Sequence, residues 1–238
     1  KERFEARTSY YIDLLNPDQN ETFNLRPRAL AEQLAALKPE LDWVIIDEIQ
    51  KAPKLLDIVH QQIESSRFKF ALTGSSARKH RHGSANLLAG RAFVLHLFPL
   101  TAREIGARFS LQSALAWGTL PRAVMIESDE DRRDFLRSYA HTYLQEDITQ
   151  EQIVRRLDPF RRFLMVAAQM SGQILNFSKI AREIGSSTVT VQSYFQILED
   201  TLIGSLVEPF HESVRTRPRG NPKFYFFDTG VQRALNNT

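Results

Sequence analysis

The chain has 238 residues, no cysteine, and 42% hydrophobic, 25% charged and 10% aromatic residues. Without cysteine it can hold no disulfide, thiolate metal site or cysteine nucleophile, and ten Gly and ten Pro among abundant apolar residues exclude a collagen-like chain. No apolar run reaches the roughly 18 residues of a spanning helix, and Lys1–Arg7 lacks the apolar core of a signal peptide, so the expectation is a cytoplasmic protein without a membrane partner. Charge is unevenly placed. Residues 1–150 balance 20 Lys+Arg against 20 Asp+Glu, so the whole net charge of +3 falls in residues 151–238.

Lys1–Arg7 reads as the end of a charged helix, and Ser9–Leu14 as a strand closed by an Asn16-Pro17-Asp18 turn. Ala29–Leu37 has helical spacing. Trp43–Ile46 is a continuous apolar run, the pattern of a strand buried on both faces, and it ends in Asp47-Glu48. Pro53 opens a helix to about Glu64, and Phe68–Thr73 is a short strand stopped by Gly74. After a polar loop, Ser75–Ser84, and a short helix near Ala85–Leu88, Ala92–Leu97 reads as a further strand. Strands and helices alternating at this spacing predict a parallel α/β sheet. From Thr101 the pattern turns helical, most clearly over Asp129–Gln145 and Pro159–Met170, with Phe135, Leu136, Tyr139, Tyr143 and Leu144 facing inward.

Asp47 and Glu48 are the sharpest chemical signal. Four apolar residues followed by Asp-Glu form the Walker B pattern, in which a strand delivers two carboxylates to the rim where parallel sheets bind ligands. Asp47 is then the Mg²⁺ ligand and Glu48 the group that polarises the attacking water. The same two residues would also serve simply to end the strand and cap a helix. Thr73, Ser75 and Ser76, after the next strand, place hydroxyls where they could hold that water or a γ-phosphate, or cap a turn.

Val44–Pro53, Leu72–Lys79, Asn86–Ala92 and Leu97–Thr101 occur in order, followed by Thr142–Ile148, Ile197–Gly204 and Lys223–Gly230. This ordered set resembles the prokaryotic AAA-type ATPases that carry a C-terminal domain of unknown function, over about Leu41–Leu235. The resemblance implies ATP and Mg²⁺ as cofactors. It also implies a role for Arg91, just before the Ala92–Leu97 strand, as an arginine reaching a neighbouring subunit's γ-phosphate in a homo-oligomer. A salt bridge from Arg91 to the sheet is the competing expectation, and Arg78 is a second phosphate candidate. One element of the family pattern is missing: no Gly-Lys pair exists, so the phosphate-cradling loop G-x-x-x-x-G-K-[ST] is absent. The expectation is a fragment of a longer ATPase whose loop lies upstream, inactive or nearly so by itself; the alternative is a non-catalytic DNA-binding or protein-docking scaffold.

Asn176–Leu198 carries a small residue, Ala181, four before Gly185, then a Ser/Thr cap and Val191, the helix-turn-helix spacing. Thr188, Thr190, Gln192 and Ser193 would form the exposed face of its second helix. Gly204–Phe210 and Lys223–Phe227 flank Arg215, Arg217 and Arg219 as strands of a basic-tipped hairpin, and the whole resembles a winged helix. Its partner is DNA, through those seven residues, or else it is a protein-docking or intramolecular lid module; the absence of Lys and Arg from the central face weighs against base reading. Asp228 reads as the cap of a terminal helix rather than a nuclease carboxylate, since no Glu-x-Lys or Asp-x-Lys follows. His80 and His82 lack a third ligand, and no HExxH or GxSxG motif occurs. The expected architecture is an incomplete parallel-sheet P-loop NTPase domain over 1–100, an all-α linker over 101–158, and a winged helix-turn-helix over 159–238.

Overall fold

Parallel pairing of three short strands sets the geometry of the N-terminal part. The computed structural model describes residues 9–74, 91–140, 157–210 and 220–236, which divide into two units, 1–94 and 95–238. In the first unit β1 (Ser9–Asp13), β2 (Trp43–Asp47) and β3 (Lys69–Leu72) form a parallel sheet in that order, with Asp13 opposite Asp47 and Ile46 opposite Leu72. Between them lie α1 (Pro17–Leu25), α2 (Ala29–Ala35) and α3 (Leu55–Ser65). Ile12, Val44 and Ile46 share one core with Phe23, Leu30, Leu34, Leu55 and Val59 from these helices.

Three expectations for this unit need correction. β2 is not buried on both faces: Val44 and Ile46 are buried, but Trp43, Ile45 and Asp47 are half-exposed, because the described helices bury only the other set of alternating residues. Asn16-Pro17-Asp18 is not a closing turn but the start of α1. The Asn16 side chain accepts hydrogen bonds from the Asp18 and Gln19 amides, and Pro17 occupies the first helical position, where its missing N–H is harmless. Ala92–Leu97 forms no strand. Phe93, Val94, Leu95 and Leu97 are exposed, since strand-forming residues make a strand only through a ladder and none pairs with this run among the described residues.

Among its described residues the second unit is helical with one antiparallel strand pair: α4 (Ala102–Ile105), α5 (Leu111–Trp117), α6 (Pro121–Met125), α7 (Asp129–Ser138), α8 (Leu157–Gln169), α9 (Phe177–Ile184), α10 (Thr188–Asp200), antiparallel β4 (Gly204–Val207) and β5 (Lys223–Phe226), and α11 (Thr229–Leu235). Ala123, Leu136 and Ala140 from the expected linker join the same core as Phe160, Phe163, Phe195 and Phe224. Phe195 is fully buried, its ring 4.8 Å from Phe163 and 5.0 Å from Phe224. Phe135 and Tyr139 pack against this core as expected, whereas Tyr143, Leu144, the helix at Ala85–Leu88 and the Lys1–Arg7 helix end lie outside the described residues.

Local chemistry fixes the turn between α9 and α10. Asn176 caps α9 by accepting from the Lys179 amide at 2.9 Å. Gly185 then takes the left-handed conformation, φ 66°, which lets Ser186 N–H reach the Ala181 carbonyl at 2.8 Å. Ser187 caps α10 through the Thr190 amide. Ahead of α9, Ile174 forms an isolated antiparallel bridge with Lys223 of β5. Among the described residues no helix is long and apolar enough to cross a membrane.

Asp228, only 4% exposed, caps α11 by accepting from the Val231 amide at 3.0 Å and also accepts from the Thr119 amide at 2.7 Å. It thereby ties α11 to the turn after α5, where a Cβ on Gly118 would lie 2.0 Å from a carboxylate oxygen. Burial raises its pKa above the ordinary 3.8, opposed by the backbone amides of Thr119, Val231, Gly230 and Leu120. A folded-state pKa above the unfolded one means that this group's contribution to stability is fully present below pH 3.8 and is lost as pH rises through the raised value. Asp228→Asn presents N–H to backbone donors, so it is expected to destabilise the chain by about 1–3 kcal/mol. It should also flatten this pH dependence, both read from urea midpoints measured from below pH 3.8 upward.

Candidate functional site

All three parallel strands end at one rim. Asp13 and Asp47 are the last residues of β1 and β2, and Thr73 directly follows β3. Because Thr73 N–H continues the ladder onto the Ile46 carbonyl at 3.0 Å, its side chain is delivered beside Asp47. Thr73 Oγ1 donates to Asp47 Oδ1, and the Tyr11 hydroxyl donates to Oδ2. Each carboxylate oxygen thus accepts from a hydroxyl on the neighbouring strand. The bond to Asp47, followed by burial and the charges of Asp47 and Asp13, pushes the Tyr11 phenol up to about 12.

Glu48 leaves the strand in the left-handed conformation, φ 59° and ψ 44°, a region rarely occupied by side chains other than Gly, Asn and Asp. Its amide donates to Thr73 Oγ1 at 3.3 Å, and its carboxylate accepts from Gln50 Nε2. Ile49 N–H then bonds the Thr73 carbonyl at 3.0 Å, anchoring the 3₁₀ turn Ile49–Lys51 to the end of β3. Strain of this kind persists where surrounding contacts over-determine the backbone. Glu48→Gly is expected to raise stability by about 1 kcal/mol in chemical denaturation while deleting the carboxylate.

The rim therefore unites Asp47, Glu48 and Thr73, as the sequence predicts. Arg91 takes another partner: its guanidinium bonds Glu64 at the end of α3, at 2.5 and 2.8 Å, with both side chains roughly half exposed. This is an ion pair to helix α3 rather than the expected one to the sheet, and with Ala92–Leu97 not a strand, Arg91 does not precede one. On α10, Gln192 and Ser193 are exposed, but Thr188 and Thr190 are half-buried, and Thr190 Oγ1 lies 2.8 Å from Ser187 Oγ. Ser75, Arg78, His80, His82, Arg215, Arg217 and Arg219 lie outside the described residues. Tyr11, Asp13 and Gln50 were not among the predicted site residues. The two-residue spacing of Tyr11 and Asp13 along one strand face was the available signal.

The donor set is hard oxygen: one carboxylate flanked by a threonine hydroxyl. Among the described residues no three or more His, Cys, Asp or Glu side chains gather as an ion cage. A single carboxylate beside hydroxyls fits Mg²⁺, which keeps several waters and is commonly shared with substrate phosphates.

Residues 1–106 match the model of an AAA domain, so the first unit is AAA-like, a class that implies nucleotide binding in general. Residues 108–238, more than half of the chain, match the domain of unknown function DUF8612, and the chain belongs to that family. The uncharacterized proteins Mb2031c of Mycobacterium bovis and Rv2008c of Mycobacterium tuberculosis are each 27% identical over 208 residues, 87% of this chain and 47% of theirs. An uncharacterized protein of Haemophilus influenzae is 24% identical over 208 residues, 80% of this chain and 52% of its own. The chain spans about half the length of these curated relatives. No solved structure matches it.

Proposed function

We propose that this chain is part of a cytoplasmic, prokaryotic AAA-type ATPase that couples ATP binding and hydrolysis to a C-terminal winged-helix module. The observation that carries the reading is the parallel-sheet rim on which Asp47, oriented by Tyr11 and Thr73, stands beside Glu48. Asp47 and Thr73 hold Mg²⁺, which when bound neutralises phosphate charge. Glu48 polarises the attacking water, and the strained backbone with the Gln50 amide fixes its carboxylate. Ser75 and Arg78 add phosphate contacts. Arg91, exchanging Glu64 for a γ-phosphate, acts across a subunit boundary.

The phosphate-cradling loop is supplied by sequence upstream of Lys1. That motif follows a strand, and the described residues leave the outer edge of β3 unpaired for one. The full-length protein is expected to bind ATP tightly in the presence of Mg²⁺, the 238-residue chain weakly, and Asp47→Ala in the full-length protein to weaken binding and abolish turnover. Calorimetric ATP titration of the three proteins tests this; absence of binding by the full-length protein refutes the reading.

In the same reading 1–100 is the ATPase part, 101–158 the connector, and 159–238 the winged helix. Support for the last comes from element order: α8, the Ile174 bridge, α9, α10, β4 and β5 run helix, single-residue bridge, helix, helix, strand, strand. DNA is the partner favoured by its positive charge, with Gln192, Ser193, Thr188 and Thr190 toward the groove and Arg215, Arg217 and Arg219 on phosphates. Neutralising the three arginines is expected to lower the slope of log affinity against log salt by about 0.9 for each phosphate contact removed, in fluorescence-anisotropy titrations with duplex DNA. Absence of duplex binding at low salt instead assigns the module to a protein partner, which the exposed Val189 on the same helix would suit.

A further inference from the structure

Tyr11 shows a relation to Asp47 that packing does not explain. Its side chain is 37% exposed, on the half-exposed face of the sheet, so burial does not dictate its rotamer. Register places Tyr11 opposite Ile45, with Asp47 two residues further along the same face, a diagonal that a long side chain can span. Asp13, directly opposite Asp47, folds back instead: its Oδ1 accepts the Leu15 amide at 2.8 Å. The hydroxyl that meets Asp47 from β1 is therefore the phenol, and the one from the β3 side is Thr73.

We propose that Tyr11 is a positioning residue for the Asp47 carboxylate, fixing the plane in which it is offered to a divalent cation. The proposal rests on the reading of Asp47 as the Mg²⁺ ligand. A carboxylate held by one donor on each oxygen has its χ1 and χ2 set before the cation arrives, so less side-chain freedom is lost on binding. Hydrogen bonds that orient a metal ligand commonly change metal affinity 10–100-fold. Removing the hydroxyl takes away the donor that meets Asp47 Oδ2 from β1, while the Thr73 donor to Oδ1 stays.

The test uses the full-length protein, with Mn²⁺ as the spectroscopic probe. Mn²⁺ binding in the presence of ADP is read by electron paramagnetic resonance for wild type, Tyr11→Phe, Tyr11→His and Asp47→Asn. Tyr11→Phe keeps the ring and drops the donor; about tenfold weaker Mn²⁺ binding is expected, with melting temperature and metal-free ADP affinity unchanged. Tyr11→His, which retains a ring and an N–H donor, is expected to fall between Phe and wild type. In steady-state hydrolysis the Mg²⁺ concentration for half-maximal rate should shift by a larger factor than kcat at saturating Mg²⁺. Wild-type Mn²⁺ affinity in Tyr11→Phe, with Asp47→Asn impaired, overturns the role of Tyr11 and leaves that of Asp47 standing. Wild-type affinity in Asp47→Asn overturns the Asp47 reading, and the proposal with it.

Discussion

The parallel registration of three strands is the constraint on which the candidate site depends. Parallel strands that start in step finish in step, so Asp13, Asp47 and Thr73 arrive at one rim although 60 positions separate the first from the last in the numbering. Backbone hydrogen bonds extend this order past the strand ends: Leu14 N–H bonds the Asp47 carbonyl and Thr73 N–H the Ile46 carbonyl. The side chains then need only rotate to meet. Tyr11 and Thr73 each give one hydroxyl to the half-exposed Asp47 carboxylate.

Immediately after that ordered rim the chain accepts strain. Glu48 occupies a left-handed conformation that glycine would adopt without steric conflict, and the contacts that hold it come from Thr73 and Gln50. Thr73 contributes to both acidic residues at once, through its hydroxyl to Asp47 and as acceptor for the Glu48 amide. A single short side chain therefore links the Asp47 carboxylate to the Glu48 backbone in the proposed nucleotide site.

The second unit solves a different problem, packing a helical core against the antiparallel pair β4 and β5. Aromatic rings from α8, α10 and β5 meet in tilted and edge-on pairs, with Phe195 between Phe163 and Phe224. A buried carboxylate, Asp228, closes the remaining gap by satisfying backbone donors from α11 and from the turn after α5. Gly118 is required there twice over, for its positive φ of 72° and because any Cβ would strike that carboxylate.

Residues acting over a few positions were legible in the sequence. The β2 apolar run with its terminal Asp-Glu, the Gly185 turn, a Ser/Thr cap after it and the Asp228 cap all follow from local hydrogen bonding and backbone freedom, and each appears where expected, the structure choosing Ser187 for the cap. Asn16-Pro17-Asp18 was ambiguous because the same residues initiate turns and helices, and the weakly amphipathic segment behind it, with only Phe23 buried, gave no periodic signal. Tertiary structure decided what depends on partners distant in sequence. It placed Tyr11 on Asp47 across 36 positions, gave Arg91 to Glu64, and denied Ala92–Leu97 a ladder among the described residues. Propensity and capping are properties of a short segment, whereas a strand, an ion pair or a shared carboxylate exists only when another segment is brought alongside.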